Sequence, residues 1–146
     1  MSGAPIPRRR CCVVTAVLVA ALVAGCGSSQ RAGTSARVVD VTEKDFHIAM
    51  PTTIASGEIV FHVHNAGPDD HEFIVMRGTA AQLPLQDDGL TVNEAGVKSR
   101  LVGELEPGSP GVTRNLRLRL APGRYVFYCD MTGHFMGGMH EDVVVQ

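Results

Sequence analysis

Apolar and polar residues alternate along much of the chain, which is the pattern of β-strands with one buried face. In the stretch EIVFHVHN, the apolar residues share one face and the two histidines share the other: Ile59, Phe61 and Val63 against His62 and His64. The stretch RNLRLRL alternates leucine and arginine in the same way, so its leucines are expected to point inward.

Further strands are predicted where short apolar runs are bounded by Gly-Pro or Pro-Gly pairs. These runs are Arg37–Thr42, His71–Arg77, Arg124–Asp130 and Asp142–Gln146. Residues 79–98 have weak periodicity and a polar QDDG, so we interpret them as a long insertion with a helical turn near 92–98. About seven short strands with regular turns predict an all-β sandwich.

The N-terminal segment has the features of an export signal. A basic stretch, Pro7–Arg10, precedes the apolar run Val13–Ala24, which is shorter than the ~20 residues that a membrane-spanning helix needs. The run ends in LVAGC, Leu22–Cys26, which resembles the lipobox of bacterial lipoproteins. We therefore expect a signal peptide over 1–25 and lipid on Cys26; the alternatives are ordinary secretory cleavage and an uncleaved anchor.

Cleavage before Cys26 would leave a short tether and one domain. Residues 26–36 are rich in Gly and Ser and are expected to be a flexible tether, and 37–146 form the folded domain. The mature chain of 121 residues would keep ten basic and 15 acidic side chains, a formal charge of −5. This charge argues against nucleic acid as a partner. Cys129 would have no disulfide partner, so its thiol is either reactive or bound to a metal.

The C-terminal stretch YCDMTGHFMGGMH concentrates soft donors in a glycine-rich loop. Cys129, His134 and Met139 follow a C-x4-H-x4-M spacing directly after a predicted strand, and His71 follows a Gly-Pro turn at the start of another. One thiolate, two imidazoles and a thioether describe a trigonal site with a weak axial ligand, which is typical of copper in electron transfer.

These two motifs, VFHVHNAGPDDHEF and LAPGRYVFYCDMTGHFMGGM, resemble those of the cupredoxins, the small blue copper proteins that include plastocyanin, azurin and auracyanin. The resemblance implies a Greek-key β-sandwich with one copper ion on His71, Cys129 and His134, and Met139 as the axial ligand. The chain departs from the family in two places. Glu72 stands where plastocyanin and azurin have Asn, and the CDMTGH segment lacks the Pro that many members have.

Other side chains leave alternatives open. His62 and His64 would either hold a second metal ion or form a solvated outer face. Met131 and Met136 would either recruit Cu(I) or pack within the loop. Phe135 would either plug the top of the core or join Met136 in an exposed apolar patch where redox partners dock.

The resulting hypothesis is a one-electron carrier between membrane-associated redox partners, exported and lipid-anchored to the outer face of the cell membrane. The alternative is a copper trafficking or sequestration protein outside the cytoplasm. An enzyme is not expected, because copper enzymes such as nitrite reductases and multicopper oxidases need a second copper centre and usually more than one such domain. A respiratory CuA domain is not expected either, because its site bridges two cysteines and only Cys129 is available. We expect a monomer whose donor and acceptor are redox proteins.

The lipid anchor is tested by Cys26→Ala, with Cys12→Ala as the matched control. Loss of the lipid should release or mislocalise the protein, whereas the control should stay in the membrane fraction. Cell fractionation and immunoblotting measure this. Unchanged membrane association of Cys26→Ala would favour an uncleaved hydrophobic anchor.

Overall fold

The computed structural model describes residues 1, 3 and 35–146. Nine strands follow one another within residues 35–146: β1 Arg37–Lys44, β2 His47–Ala49, β3 Thr53–Ile54, β4 Gly57–Asn65, β5 His71–Arg77, β6 Leu101–Gly108, β7 Thr113–Leu120, β8 Gly123–Tyr128 and β9 His140–Val145. One α-helical turn, α1 Glu94–Val97, lies between β5 and β6 with 3-10 turns at Ala80–Gln82 and Lys98–Arg100.

The strands form two sheets, with orders β2-β1-β4-β7 and β3-β9-β8-β5-β6. β1 pairs with β4 and β3 with β9 in parallel, and the other neighbours are antiparallel. The main hydrophobic core takes side chains from both sheets. The β-sandwich predicted from the sequence is therefore confirmed.

Alternation places the core between the sheets. Ile59, Phe61 and Val63 of β4 are fully buried, and the leucines of β7 pack on the same core. Three phenylalanines of facing strands lie with ring centroids 5.2–5.9 Å apart: Phe61, Phe73 and Phe127. Burial of each such ring contributes about 1.5–3 kcal/mol, so this cluster is a main source of stability.

Strand β8 is buried on both faces. Tyr125 and Phe127 point into the main core, while Val126 and Tyr128 belong to a second apolar cluster. Residues of the 79–98 segment cover that second face, which explains why β8 has a continuous apolar sequence instead of an alternating one.

The predicted strands are all present, with shifted ends. β1 extends to Lys44, β8 ends at Tyr128, and β9 begins at His140. The helical turn expected near 92–98 is α1. The sequence reasoning missed β2 and β3, which have three and two residues. It also missed β6, whose Gly103 and Pro107 interrupt a strand pattern.

A buried ion pair crosses the first sheet. Glu43 of β1 has no exposed surface, and its Oε2 lies 2.6 Å from Nη2 of Arg114 on β7. Burial raises the pKa of Glu43 to about 7, although the Arg114 guanidinium opposes the shift. The pair links two strands that are not neighbours, at the end of the sheet near Asn65.

The predicted signal peptide, Cys26 and most of the tether lie outside the described residues. Those assignments stay predictions. Among the residues that are described, no helix has the length and apolar character needed to cross a membrane.

Candidate metal centre

Strand pairing brings two of the predicted donors to one edge of the second sheet. His71 is the first residue of β5, and Cys129 directly follows the last residue of β8. The two strands are antiparallel, with Ile74 opposite Tyr128. The start of one strand therefore lies beside the end of the other, and the two donors meet there.

The loop after Cys129 folds back on itself through backbone hydrogen bonds. The N–H of His134 donates to Met131 O at 2.8 Å, and the N–H of Met139 donates to His134 O at 2.9 Å. The N–H of Cys129 then donates to Met139 O at 3.1 Å. The backbone of Met139 is therefore hydrogen-bonded to the backbones of both Cys129 and His134, which closes the loop into a compact ring.

Three donor atoms converge in the interior. His71 Nδ1 lies 4.0 Å and His134 Nδ1 lies 3.5 Å from Cys129 Sγ, and all three atoms are within 4.8 Å of one another. Metal–nitrogen and metal–sulfur bonds of about 2.0 and 2.3 Å, roughly 120° apart, would hold donors about 3.7 Å from each other. The cluster therefore has the spacing of a trigonal metal site. Met139, the fourth predicted ligand, is fully buried in the same core as Cys129.

Burial controls the protonation of these donors. It lowers the pKa of His71, an effect that the neighbouring His134 adds to and that Asp45 opposes. It also raises the pKa of the Cys129 thiol to about 11, while the nearby backbone N–H groups of Met131 and Glu72 act in the other direction. The lowered pKa favours the neutral form of His71, which is the form that binds metals. The raised pKa keeps the Cys129 thiol protonated until a metal cation displaces the proton.

Each imidazole has a carboxylate on its far side, which sequence reasoning missed. Asp45 Oδ1 lies 3.2 Å from His71 Nε2, and Asp69 Oδ2 lies 3.8 Å from His134 Nε2. Asp69 precedes His71 by two residues, so its proximity to the site could have been predicted from the sequence. Asp45 lies in the turn between β1 and β2, and nothing in the local sequence indicates its place.

Comparisons with solved structures agree on one architecture. Reduced auracyanin from Roseiflexus castenholzii superposes with a TM-score of 0.56 at 18% identity, covering 78% of this chain and 99% of that one. Auracyanin A, a "blue" copper protein from Chloroflexus aurantiacus, gives 0.57 at 17%, covering 75% and 98%. Rusticyanin from Thiobacillus ferrooxidans gives 0.55 at 17%, covering 77% and 79%. The chain has the cupredoxin fold. No protein-family model and no curated protein sequence matches it.

Within this cupredoxin fold, a buried asparagine ties the loop before His71 to a neighbouring strand. The side-chain amide of Asn65 donates to Gly108 O at 2.7 Å and to Asp69 O at 2.8 Å, and its Oδ1 accepts from the N–H of Gly67 at 2.9 Å. The Asn65 side chain thus fixes the loop that leads into His71 against β6.

The remaining candidates separate into buried and exposed groups. Phe135 is buried against Tyr128, with ring centroids 5.6 Å apart, so it is a core plug. Met136 is 53% exposed. His62 Nδ1 contacts Asp40 and His64 Nδ1 contacts Thr113, all on the outer face of the first sheet. Among residues 35–146, only His71, Cys129 and His134 bring three such donors together.

The 79–98 segment supports the candidate metal-binding loop, residues 129–139, from outside. Asp130 Oδ1 accepts from the N–H of Val92 at 2.7 Å, and the N–H of Gly133 donates to Leu90 O at 3.2 Å. Leu83, Val92 and Val97 fill the second cluster, which also contains Phe135. The segment therefore fixes the loop on the side opposite the sandwich core.

Acidic residues gather where this segment meets the sheet. A cleft there is lined by Glu72, Glu94, Glu104, Glu106 and Asp130. Burial first and neighbouring carboxylates second raise the pKa values of Glu72 and Glu94. Burial likewise raises the pKa of Asp130 to about 6. Glu72, Glu94 and Asp130 each contribute stability when protonated, and that contribution is lost as pH rises through the raised pKa of the group.

We expect Glu104→Gln to stabilise the fold at pH 7.5, by on the order of 0.5 kcal/mol or less, because it removes a like charge from this cleft. The gain should shrink as pH falls and the neighbouring carboxylates, whose pKa values are raised, become protonated, and it should shrink in high salt. Urea unfolding measures it. Glu58→Gln, which breaks an exposed pair with Arg119, is the control and should not stabilise. A gain that is independent of pH would contradict the explanation.

Proposed function

We propose that this protein is a mononuclear type 1 copper protein that carries one electron at a time between membrane-associated redox partners. The observation that carries the proposal is the buried cluster of one thiol and two imidazole nitrogens in a cupredoxin fold. Cys129, His71 and His134 are the proposed principal ligands, and Met139 is the proposed axial ligand. Thiolate and thioether suit Cu(I), and imidazole also suits Cu(II).

The fold supplies what a one-electron site requires of its protein. When bound, copper would cycle between Cu(II) and Cu(I). Cys129 and His71 have no exposed surface, so water is excluded from two of the proposed ligands. The hydrogen-bonded loop and its support by the 79–98 segment resist rearrangement. A site that keeps its geometry in both oxidation states supports rapid electron transfer.

His134 is the proposed exit for the electron. It is 8% exposed, and the ring of Phe46 lies against it edge-on at 5.4 Å. Phe46 is 51% and Met136 is 53% exposed, and both flank this end of the molecule. A small exposed apolar surface suits the brief contacts of redox partners.

We also propose that the protein works at the outer face of the cell membrane. The support is the LVAGC motif and the Gly/Ser-rich tether, which would hold the domain near membrane-associated partners. The chemistry of those partners is that of one-electron donors and acceptors.

Copper trafficking is the second candidate function, and the exposed Met136 thioether favours it. Met131, in contrast, is partly buried against the main core. The two functions differ in the fate of the copper ion after its reduction. A carrier should retain copper in the presence of a Cu(I) chelator, whereas a trafficking protein should release it readily.

The copper assignment is tested by Cys129→Ser. The copper-loaded protein should absorb strongly in the visible region through thiolate-to-copper charge transfer, and the variant should lose that band. His62→Ala, which changes an imidazole on the outer face, is the control and should keep the band. Visible spectra and metal analysis measure both. The same colour and copper content in Cys129→Ser would show the ligand set to be wrong.

The axial assignment is tested by Met139→Leu. A weak thioether ligand tunes the potential more than it holds the metal, so the variant should keep copper and show a higher reduction potential. Met136→Leu, in the same loop but exposed, should leave the potential unchanged. Voltammetry and metal analysis give both values. Complete loss of copper from Met139→Leu would make Met139 a principal ligand or an essential packing residue.

A further inference from the structure

A carboxylate from the first sheet reaches the buried face of His71. Asp45 Oδ1 lies 3.2 Å from His71 Nε2. Both atoms are buried, and neither has a well-aligned hydrogen bond to any described residue, so their contact is an electrostatic one. An unsatisfied buried polar group costs about 1–3 kcal/mol, and the attraction between these two atoms offsets part of that cost.

We propose that Asp45 is a positioning residue for the metal centre: it holds His71 with the proton on Nε2 and Nδ1 free, and its charge favours the oxidised metal. This inference rests on the proposed copper function for its second part only. The first part concerns the imidazole alone and applies to the metal-free protein.

The backbone of the turn supports a functional role. Asp45 and Phe46 form the two-residue connection between β1 and β2, where Lys44 pairs with His47. Phe46 has φ 60°, in the left-handed region that bulky side chains rarely occupy. Such a conformation costs on the order of 1–3 kcal/mol and persists where surrounding contacts impose it. Here it is found directly beside the residue that contacts His71.

Close packing around the turn requires glycine at two neighbouring positions. A Cβ on Gly67 would lie 2.5 Å from His71 Nε2 and 2.7 Å from Asp45 Oδ1. A Cβ on Gly137 would overlap the ring of Phe46. Glycine at both positions lets the loop before His71 and the metal-binding loop approach the turn, which fixes the carboxylate against the imidazole.

The position of the proton follows from this contact. A carboxylate oxygen offers only lone pairs, so it attracts a proton on Nε2 at 3.2 Å and repels a bare Nε2 lone pair, which favours the neutral imidazole with its N–H at Nε2. Nδ1, 4.0 Å from Cys129 Sγ, then has its lone pair free for a metal. Carboxylate partners of this kind orient ligating imidazoles and make them more basic. The negative charge also favours Cu(II) over Cu(I), which lowers the reduction potential.

Asp69 offers a matched comparison. It carries the same charge near the other imidazole, but its side chain is 63% exposed and its Oδ2 is 3.8 Å from His134 Nε2, whereas the Asp45 side chain is 23% exposed. Solvent screens an exposed charge more strongly than a buried one. The position of Asp45, and not net charge in general, should therefore control the site.

The first experiment measures the His71 ring tautomer in the metal-free protein by long-range proton–nitrogen NMR at neutral pH. The wild type should show the Nε2–H form. Asp45→Asn keeps an oxygen acceptor and should keep that form, whereas Asp45→Ala should give a mixture. A single Nε2–H tautomer in Asp45→Ala would overturn the positioning role. This result does not depend on whether the protein carries electrons.

The second experiment measures the reduction potential of the copper-loaded variants. Asp45→Asn should keep copper and raise the potential, through a change of roughly tenfold in the ratio of Cu(II) to Cu(I) affinity, which corresponds to ~59 mV. Asp69→Asn should cause a clearly smaller change. An unchanged potential in Asp45→Asn, or equal shifts in the two variants, would overturn the proposed charge effect. A wild type that binds no copper would refute the proposed function, while the tautomer would still decide the role of Asp45.

Discussion

The antiparallel pairing of β5 with β8 is the constraint on which the site depends. It places His71 and Cys129 at the same edge of the second sheet, although they are 58 positions apart in sequence. The aromatic cluster between the sheets holds that pairing, because Phe73 on β5 and Phe127 on β8 pack with ring centroids 5.5 Å apart. The same contacts that stabilise the sandwich therefore set the distance between two of the donors.

Burial gives the donors their chemical state. Exclusion of water favours the neutral forms of both the imidazole and the thiol, so the pKa of His71 is lowered and that of Cys129 is raised. A metal cation that replaces the thiol proton would compensate the negative charge of the buried thiolate. Folding and metal binding would then be linked, because a ligand that binds only the folded state stabilises it.

The 79–98 segment gives the second sheet a second packed face. Its apolar side chains bury Val126 and Tyr128, and its backbone makes hydrogen bonds with Asp130 and Gly133 of the candidate metal-binding loop. The loop is therefore held from two sides: by the sandwich core and by an insertion whose sequence has little periodicity. The acidic cleft forms where the 79–98 segment meets the second sheet, which explains why its carboxylates are partly desolvated.

The sequence by itself determined the strand alternation of β4 and β7 and the concentration of soft donor side chains in one segment after Tyr128. These are properties of side-chain identity and short-range spacing. The tertiary structure alone decided that Asp45 meets His71, that Asn65 ties the loop to β6, and that Phe135 is buried while Met136 is exposed. The physical reason is that these contacts join residues of different strands and loops through chain packing. The local sequence around a residue does not indicate a contact that forms only when the two sheets pack together.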